Sequence, residues 1–264
     1  GPDDTGVHVD KEVSLGSRRL SIIDLSNKGH QPMYSKNKSI AVVFNGEIWN
    51  YKSLKSQLSK KGYFFNSNSD TEVIVNGYEE YGEKIFSLLD GMFGIALWDS
   101  KKKRLFLARD RIGKKPIYYY FNNKNFIFAS EIKAILEHSF IKRELNLECL
   151  SEYLTLRYSP RDITMFKGIK KLLPGNCLKL EKSNIEIKKY FNLPEFKEKH
   201  PADLEKADLL IEQAVEKRLL SDVPIGVFLS GGLDSSTIVA KMSKFNSRIK
   251  TFSATFNSKV DESK

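Results

Sequence analysis

The sequence predicts two domains of different class: an α+β sandwich up to about residue 190 and, from 203 onward, the start of an α/β domain. Three observations carry that division. Short apolar runs punctuated by turn residues fill the first part and read as antiparallel strands with helices between them. The stretch 191–202 carries Pro194, Pro201 and mixed charge, and reads as a linker. Beyond it the order is helix, strand, glycine turn, helix, strand, which is how a parallel sheet begins.

Each element has its own warrant. Ile40-Ala41-Val42-Val43-Phe44 is a continuous apolar run, read as a buried strand ending at Asn45-Gly46. Tyr51 to Lys61 is read as a helix sided by Leu54 and Leu58, four apart, and Thr71 to Tyr81 as a second. Phe93 to Trp98 and Arg104 to Ala108 flank the turn-rich Asp99 to Lys103, the pattern of a hairpin. Pro116 to Phe121 and Phe126 to Ser130 flank Asn122-Asn123-Lys124 in the same way. Glu131 to Glu137 and Leu147 to Leu156 are predicted helices, and Asn176 to Leu180 a strand. From Asp203 to Leu220, residues Leu204, Ala207, Ile211, Ala214, Val215 and Leu219 fall at helical spacing. Asp203 is placed to cap that helix, and Asp222-Val223-Pro224 ends it. A strand over Ile225 to Leu229, a helix over Ser236 to Ser243 and a strand over Thr251 to Phe256 follow.

Composition narrows the classes. The 41% hydrophobic content supports a real core and argues against disorder. No apolar run approaches the ~20 residues that cross a bilayer, so no membrane is expected. The net charge of +10 could serve nucleic acid, but the lysines are scattered and no basic stripe is interleaved with aromatics, so no nucleic-acid partner is expected. Cys149 and Cys177 are distant, no Cys-x-x-Cys occurs, and His8, His30, His138 and His200 show no ligand spacing. A cytoplasmic protein without a protein-held zinc site is expected. The chain begins at Gly1 rather than Met and is read as an internal piece of a longer protein.

The most chemical stretch is Ser230-Gly231-Gly232-Leu233-Asp234-Ser235-Ser236, after the apolar Ile225 to Leu229. A strand, a glycine turn and a helix start aim backbone N–H groups at one point, which suits a phosphate. The glycines let the backbone approach a ligand closely. Ser230, Ser235 and Ser236 add hydroxyl donors, and Asp234 could hold a Mg²⁺ ion bridging phosphate oxygens. Gly-Gly alone is an ordinary turn and Asp-Ser-Ser an ordinary cap; the whole string after an apolar strand is more specific. It is not a Walker A loop, and it resembles the PP-loop of ATP pyrophosphatases.

Further blocks occur in order along the chain: Gly1-Pro2-Asp3-Asp4, Arg19-Leu20-Ser21-Ile22-Ile23-Asp24, Phe44-Asn45-Gly46-Glu47-Ile48 and Ser69-Asp70-Thr71-Glu72. They continue with Gly91-Met92-Phe93, Ala108-Arg109-Asp110-Arg111, Ala129-Ser130-Glu131-Ile132-Lys133 and Leu173-Pro174-Gly175. Together with the PP-loop they make the chain similar to the glutamine-dependent asparagine synthetase family over nearly its whole length. The resemblance implies an α+β N-terminal-nucleophile (αββα sandwich) glutaminase domain over 1–190. It implies the start of an α/β PP-loop ATP pyrophosphatase domain over 203–264.

The resemblance also implies a site. Arg19 would bind the glutamine carboxylate, lined by Leu20, Ser21, Ile22 and Ile23. Asn45 and Gly46 would form an oxyanion hole. Glu47 and Asp70 would bind the α-amino group. For ATP, the Phe228 and Ala254 backbone would hold the adenine, Leu229 would line the nucleotide, and Ser230, Gly231, Gly232, Asp234, Ser235 and Ser236 would hold the pyrophosphate, with Asp234 as the Mg²⁺ ligand. The Asp261-Glu262 pair matches the family's acidic pair, and a helix cap would explain it equally. The implied substrates are glutamine, aspartate and ATP; a homodimer is compatible. The family's nucleophile is an N-terminal cysteine, which this chain lacks, so the piece itself is expected to be inactive and its parent to carry Cys after the initiator Met. Two other readings remain: the same chemistry on another carboxylate, of a surface-polysaccharide sugar or a peptide, and a non-catalytic scaffold.

Overall fold

A computed structural model describes residues 1–195, 203–246 and 248–254. The chain divides into two compact units, one of residues 1–21 and 26–194 and one of residues 22–25 and 195–264. In the first, β1 (Asp4–Val9) and β2 (Ser14–Arg19) form a hairpin. Then come β3 (Met33–Tyr34), β4 (Ile40–Ile48), α1 (Tyr51–Lys60), α2 (Thr71–Tyr81) and α3 (Ile85–Leu88). They are followed by β5 (Gly91–Asp99), β6 (Arg104–Arg109), β7 (Tyr118–Phe121), β8 (Phe126–Ala129), α4 (Ile132–Ile135) and α5 (Leu147–Leu156). The unit closes with β9 (Ile169–Lys171), β10 (Asn176–Glu181) and β11 (Asn184–Lys189).

Strand alternation builds the layers. A six-stranded antiparallel sheet runs β11-β10-β6-β5-β4-β3, and a three-stranded sheet runs β8-β7-β9. Ile40, Val42, Phe44, Phe93, Ile95 and Phe106 leave one face of the larger sheet and pack with Leu54, Val73, Ile74, Tyr78 and Phe86 of the helices. Their neighbours in sequence, Ala41, Val43, Ala96, Trp98 and Leu107, leave the other face and pack with Ile117, Tyr119 and Leu172. Tyr118, Tyr120 and Ile127 then face Ile135 and Ile141 on the far side of the smaller sheet. Helices, sheet, sheet, helices is the αββα sandwich. Phe86, Phe93 and Phe106 are fully buried, each contributing roughly 2–3 kcal/mol through area removed from water.

Several boundaries differ from the sequence reading. The strand expected to end at Asn45-Gly46 runs on to Ile48, because β4 stays paired with β5 through Ile48↔Gly91. Tertiary pairing overrides the turn tendency of Asn-Gly here. The helix expected over Glu131 to Glu137 is the single turn α4, with Glu131 extended before it. Strands β1 and β11 carry only the short alternations Val7-His8-Val9 and Ile185-Glu186-Ile187, and β2 carries none: of the hairpin's residues only Gly6 of β1 and Leu15 of β2 are buried, and β11 is largely exposed.

In the second unit, α6 (Leu204–Lys217) is capped by Asp203, whose carboxylate accepts the Lys206 N–H at 2.9 Å. β12 (Gly226–Phe228), α7 (Leu233–Ser243) and β13 (Lys250–Phe252) follow, and β12 pairs parallel with β13. Lys241 of α7 is buried and pairs with Asp208 at 2.6 Å and Glu212 at 3.0 Å of α6; Lys244 also bonds Glu212. Residues 22–25 join this unit through the Asp222 N–H donating to the Ile22 carbonyl at 2.9 Å and the Asp24 N–H donating to the Asp222 carboxylate at 2.7 Å. Helix α7 starts at Leu233, earlier than the expected Ser236, because Gly232 is its N-cap residue. The described strand is Lys250–Phe252; Thr255 and Phe256 of the expected strand, residues 196–202 of the linker and the Asp261-Glu262 pair lie outside the described residues. No described helix is long and apolar enough to cross a membrane.

Candidate active site

The first unit gathers three charged groups. Arg19 is the last residue of β2, and its guanidinium lies against Gly29: a Cβ there would sit 2.5 Å from Arg19 Nη2. Glu47 lies near the end of β4, and Asp70 stands immediately before α2. The Asp70 carboxylate does not cap its own helix; it accepts the Ile48 N–H at 2.9 Å. Burial pushes Asp70 up to about 7, against the stabilising Ile48 N–H, with the Glu47 charge raising it further and Arg19 lowering it. Arg19 and Glu47 are therefore each within electrostatic reach of Asp70. A guanidinium near two carboxylates is complementary to a zwitterionic amino acid.

The other predicted lining residues divide. Leu20 is exposed, and Ser21 donates its N–H to Asp3 at 2.8 Å, which holds both beside Arg19. Ile22 and Ile23 group with the second unit. Asn45 lies in β4 opposite Gly94 with its side chain exposed. Gly46 has φ +155°, and a Cβ on it would lie 2.0 Å from the Met92 carbonyl oxygen, so only glycine fits.

Two buried residues that sequence reasoning missed shape this region. Glu72 accepts the N–H groups of Asn66 and Ser67, both at 2.8 Å, and so organises the loop leading to Asp70. Gln31 accepts the Phe44 N–H at 2.7 Å. Glu72 stands in a quoted block and could have been singled out; Gln31 carries no local signal beyond its place before Pro32.

Other blocks of the resemblance are structural. Arg109 donates to the carbonyls of Lys115, Leu172 and Gly113 at 2.8, 2.7 and 2.7 Å. Asp110 is fully buried and accepts from the N–H groups of Lys114 and Lys115, both at 2.8 Å, and of Phe93 at 3.2 Å. Tyr190 locks the Arg109 carbonyl at 2.6 Å. Neither cysteine offers a nucleophile. Cys149 is fully buried in α5, and burial pushes the Cys177 thiol far up.

The glycine turn of the second unit is open and ordered by its serines. The Ser230 N–H donates to Ser235 Oγ at 3.2 Å, and the two hydroxyls meet at 3.1 Å. Gly231 has φ +84°, a conformation that favours glycine. Gly232 caps α7 without any side-chain hydrogen bond, and Asp234 sits exposed in the first turn. Leu229 is fixed by its N–H to the Phe252 carbonyl at 2.9 Å and its carbonyl to Ser253 Oγ at 2.6 Å. Phe228 and Ala254 are exposed at the carboxyl ends of the two strands. An accessible helix start with one carboxylate suits a phosphate carrying a hydrated divalent cation. Among the described residues no group of three His, Cys, Asp or Glu side chains could hold a metal by protein atoms alone.

Comparison with known proteins agrees with both units. The glutamine amidotransferase domain model matches residues 1–191, and the asparagine synthase model matches residues 206–264. The chain is 40% identical over 245 residues to asparagine synthetase [glutamine-hydrolyzing] 3 of Bacillus subtilis, covering 91% of this chain and 40% of the relative. It is 39% identical over 275 residues to asparagine synthetase [glutamine-hydrolyzing] 1 of the same organism, covering 100% and 43%. It is 36% identical over 254 residues to Amidase chry2 of Gibberella zeae, covering 92% and 37%. The chain thus spans less than half the length of these relatives.

Proposed function

The chain belongs to the glutamine amidotransferase domain family, and from that premise we propose that the whole protein makes asparagine from aspartate, using ATP and ammonia taken from glutamine. The observation that carries this reading is the grouping of Arg19, Glu47 and Asp70 in one unit with a serine-ordered glycine turn in the other. Arg19 binds the glutamine α-carboxylate, and Glu47 and Asp70 bind the α-ammonium. Leu20 and Ser21, of the same unit, line the same substrate. Asn45 and the Gly46 N–H stabilise the oxyanion that forms when a thiolate attacks the side-chain amide. That thiol comes from a cysteine outside this sequence, since Cys149 and Cys177 are both buried.

In the second unit the backbone at Phe228 and Ala254 holds the adenine, and Leu229 lines the same nucleotide. Ser230 to Ser236 hold the phosphates at the start of α7, with Gly231 and Gly232 allowing close approach. Asp234 would hold Mg²⁺, which when bound would offset charge on the pyrophosphate leaving group. The β-carboxylate of aspartate attacks the α-phosphorus, pyrophosphate leaves, and ammonia displaces AMP from the β-aspartyl-adenylate. A second reading keeps both half-reactions and changes only the carboxylate acceptor; it is favoured by a relative, 36% identical, whose name is not that of an asparagine synthetase. Pyrophosphate release by the full-length protein with ATP, Mg²⁺ and glutamine distinguishes them. Release that requires aspartate supports asparagine synthesis, and release independent of aspartate contradicts it.

A further inference from the structure

Gln31 occupies an unusual place between the elements that carry the amino-acid pocket. The β3–β4 register pairs Met33 with Val42 and Tyr34 with Ala41, so its continuation sets Gln31 opposite Phe44. The backbone leaves the ladder at that point. The Gln31 carbonyl instead approaches β1, where a Cβ on Gly6 would lie 2.0 Å from it. This would leave the Phe44 N–H without a strand partner beside buried apolar side chains, a costly arrangement. The Gln31 side chain takes the missing strand's place: its Oε1 accepts the Phe44 N–H at 2.7 Å. The same amide reaches two other elements through longer contacts, Nε2 to Thr71 Oγ1 and Ser17 Oγ to Oε1, both 3.4 Å. Gln31 is 4% exposed, and its contacts with Phe44 and Thr71 lie out of water.

The three partners adjoin the pocket. Phe44 precedes Asn45, Thr71 follows Asp70, and Ser17 lies two residues before Arg19. We infer that Gln31 is a positioning residue of the glutamine pocket, its one amide setting the oxyanion side through Phe44 and the amino-acid side through Thr71 and Ser17. The inference rests on the pocket reading given above. A side chain whose one amide contacts three elements transmits small shifts among them, and binding groups tolerate little misplacement.

The test is glutaminase kinetics of the full-length protein, with ammonia-dependent synthesis as the internal control for folding. Gln31→Met keeps length and burial but removes both hydrogen-bonding ends; it should lower kcat and raise the glutamine KM, each by about tenfold. Gln31→Glu keeps an acceptor for Phe44 and reverses the Thr71 contact, whose hydroxyl must turn to donate to the new carboxylate, so kcat should recover to within about threefold while KM stays raised. Thr71→Val should raise KM alone, and Thr71→Ser should restore it. Ammonia-dependent synthesis should be unchanged in all four. If Gln31→Met does not fold, the Gln31→Glu and Thr71 pairs decide the matter by the same split. Unaltered glutamine kinetics in the Gln31 and Thr71 variants, alongside a raised KM in Arg19→Ala, would overturn the role of Gln31 alone. An unaltered KM in Arg19→Ala would overturn the pocket reading, and this inference with it.

Discussion

Asp70 heads helix α2, yet its carboxylate accepts the Ile48 N–H at the end of β4, 2.9 Å away. A residue in a capping position has been turned from its helix to the sheet. Its buried carboxyl is pushed up to about 7, so it changes charge near neutral pH.

That shift predicts a pH dependence of stability. The folded-state value lies above the ordinary 3.8, so the folded state binds the proton more tightly than the unfolded chain. The contribution is fully present below pH 3.8 and is lost as pH rises to about 7, with a ceiling of about 4 kcal/mol. Asp70→Asn cannot ionise. Urea unfolding between pH 4 and 8 should therefore show the variant gaining on the parent as pH rises. A constant difference across that window would contradict the assignment.

In the proposed pocket the same group would set a pH dependence of glutamine binding. An α-ammonium needs the carboxylate form, and its charge lowers the pKa of Asp70 on binding. In the full-length protein the glutamine KM should fall as pH rises through about 7. Asp70→Asn should raise KM and flatten that profile, which steady-state glutaminase assays from pH 6 to 8.5 would reveal.

Gly46→Ala places a Cβ against the Met92 carbonyl oxygen at 2.0 Å and in an unfavourable φ. The β4–β5 ladder must open there, at a cost of roughly 3 kcal/mol or more. Chemical denaturation should show that loss, and the neighbouring Asn45 should lose its alignment, visible as a fall in glutaminase kcat.

Arg109→Lys retains the charge but cannot reach three carbonyls in a fixed fork. It should destabilise the first unit by about 2–3 kcal/mol while leaving the glutamine KM of folded protein unchanged. A large KM effect at unchanged stability would instead place Arg109 in the pocket.

Asp234→Ala in the full-length protein should abolish ATP–pyrophosphate exchange and spare glutaminase activity, because Asp234 belongs to the second unit alone. Retained exchange would remove it from a role in holding Mg²⁺.

The layers were legible because buried strands announce themselves. Ile40 to Phe44 and Phe93 to Trp98 are apolar runs, and helix α2 begins and ends where its pattern says, at Thr71 and Tyr81. Strands β1 and β11 were not legible, since little of either is buried and pairing alone forms them. The site was readable only through ordered motifs. No local rule reveals that Asp70 serves Ile48 rather than its own helix, or that Gln31 completes a strand ladder, because both depend on elements distant in sequence. Motif reading also gives Arg109 and Asp110 no particular role, whereas the structure gives both to backbone anchoring.

Transfer of label tests the central claim most directly. The full-length protein would be given glutamine carrying ¹⁵N in its side-chain amide, with aspartate, ATP and Mg²⁺. Asparagine labelled in its side-chain amide is expected, with AMP and pyrophosphate formed in step with it. Labelled ammonia without labelled asparagine, or label in a different amide product, would contradict it.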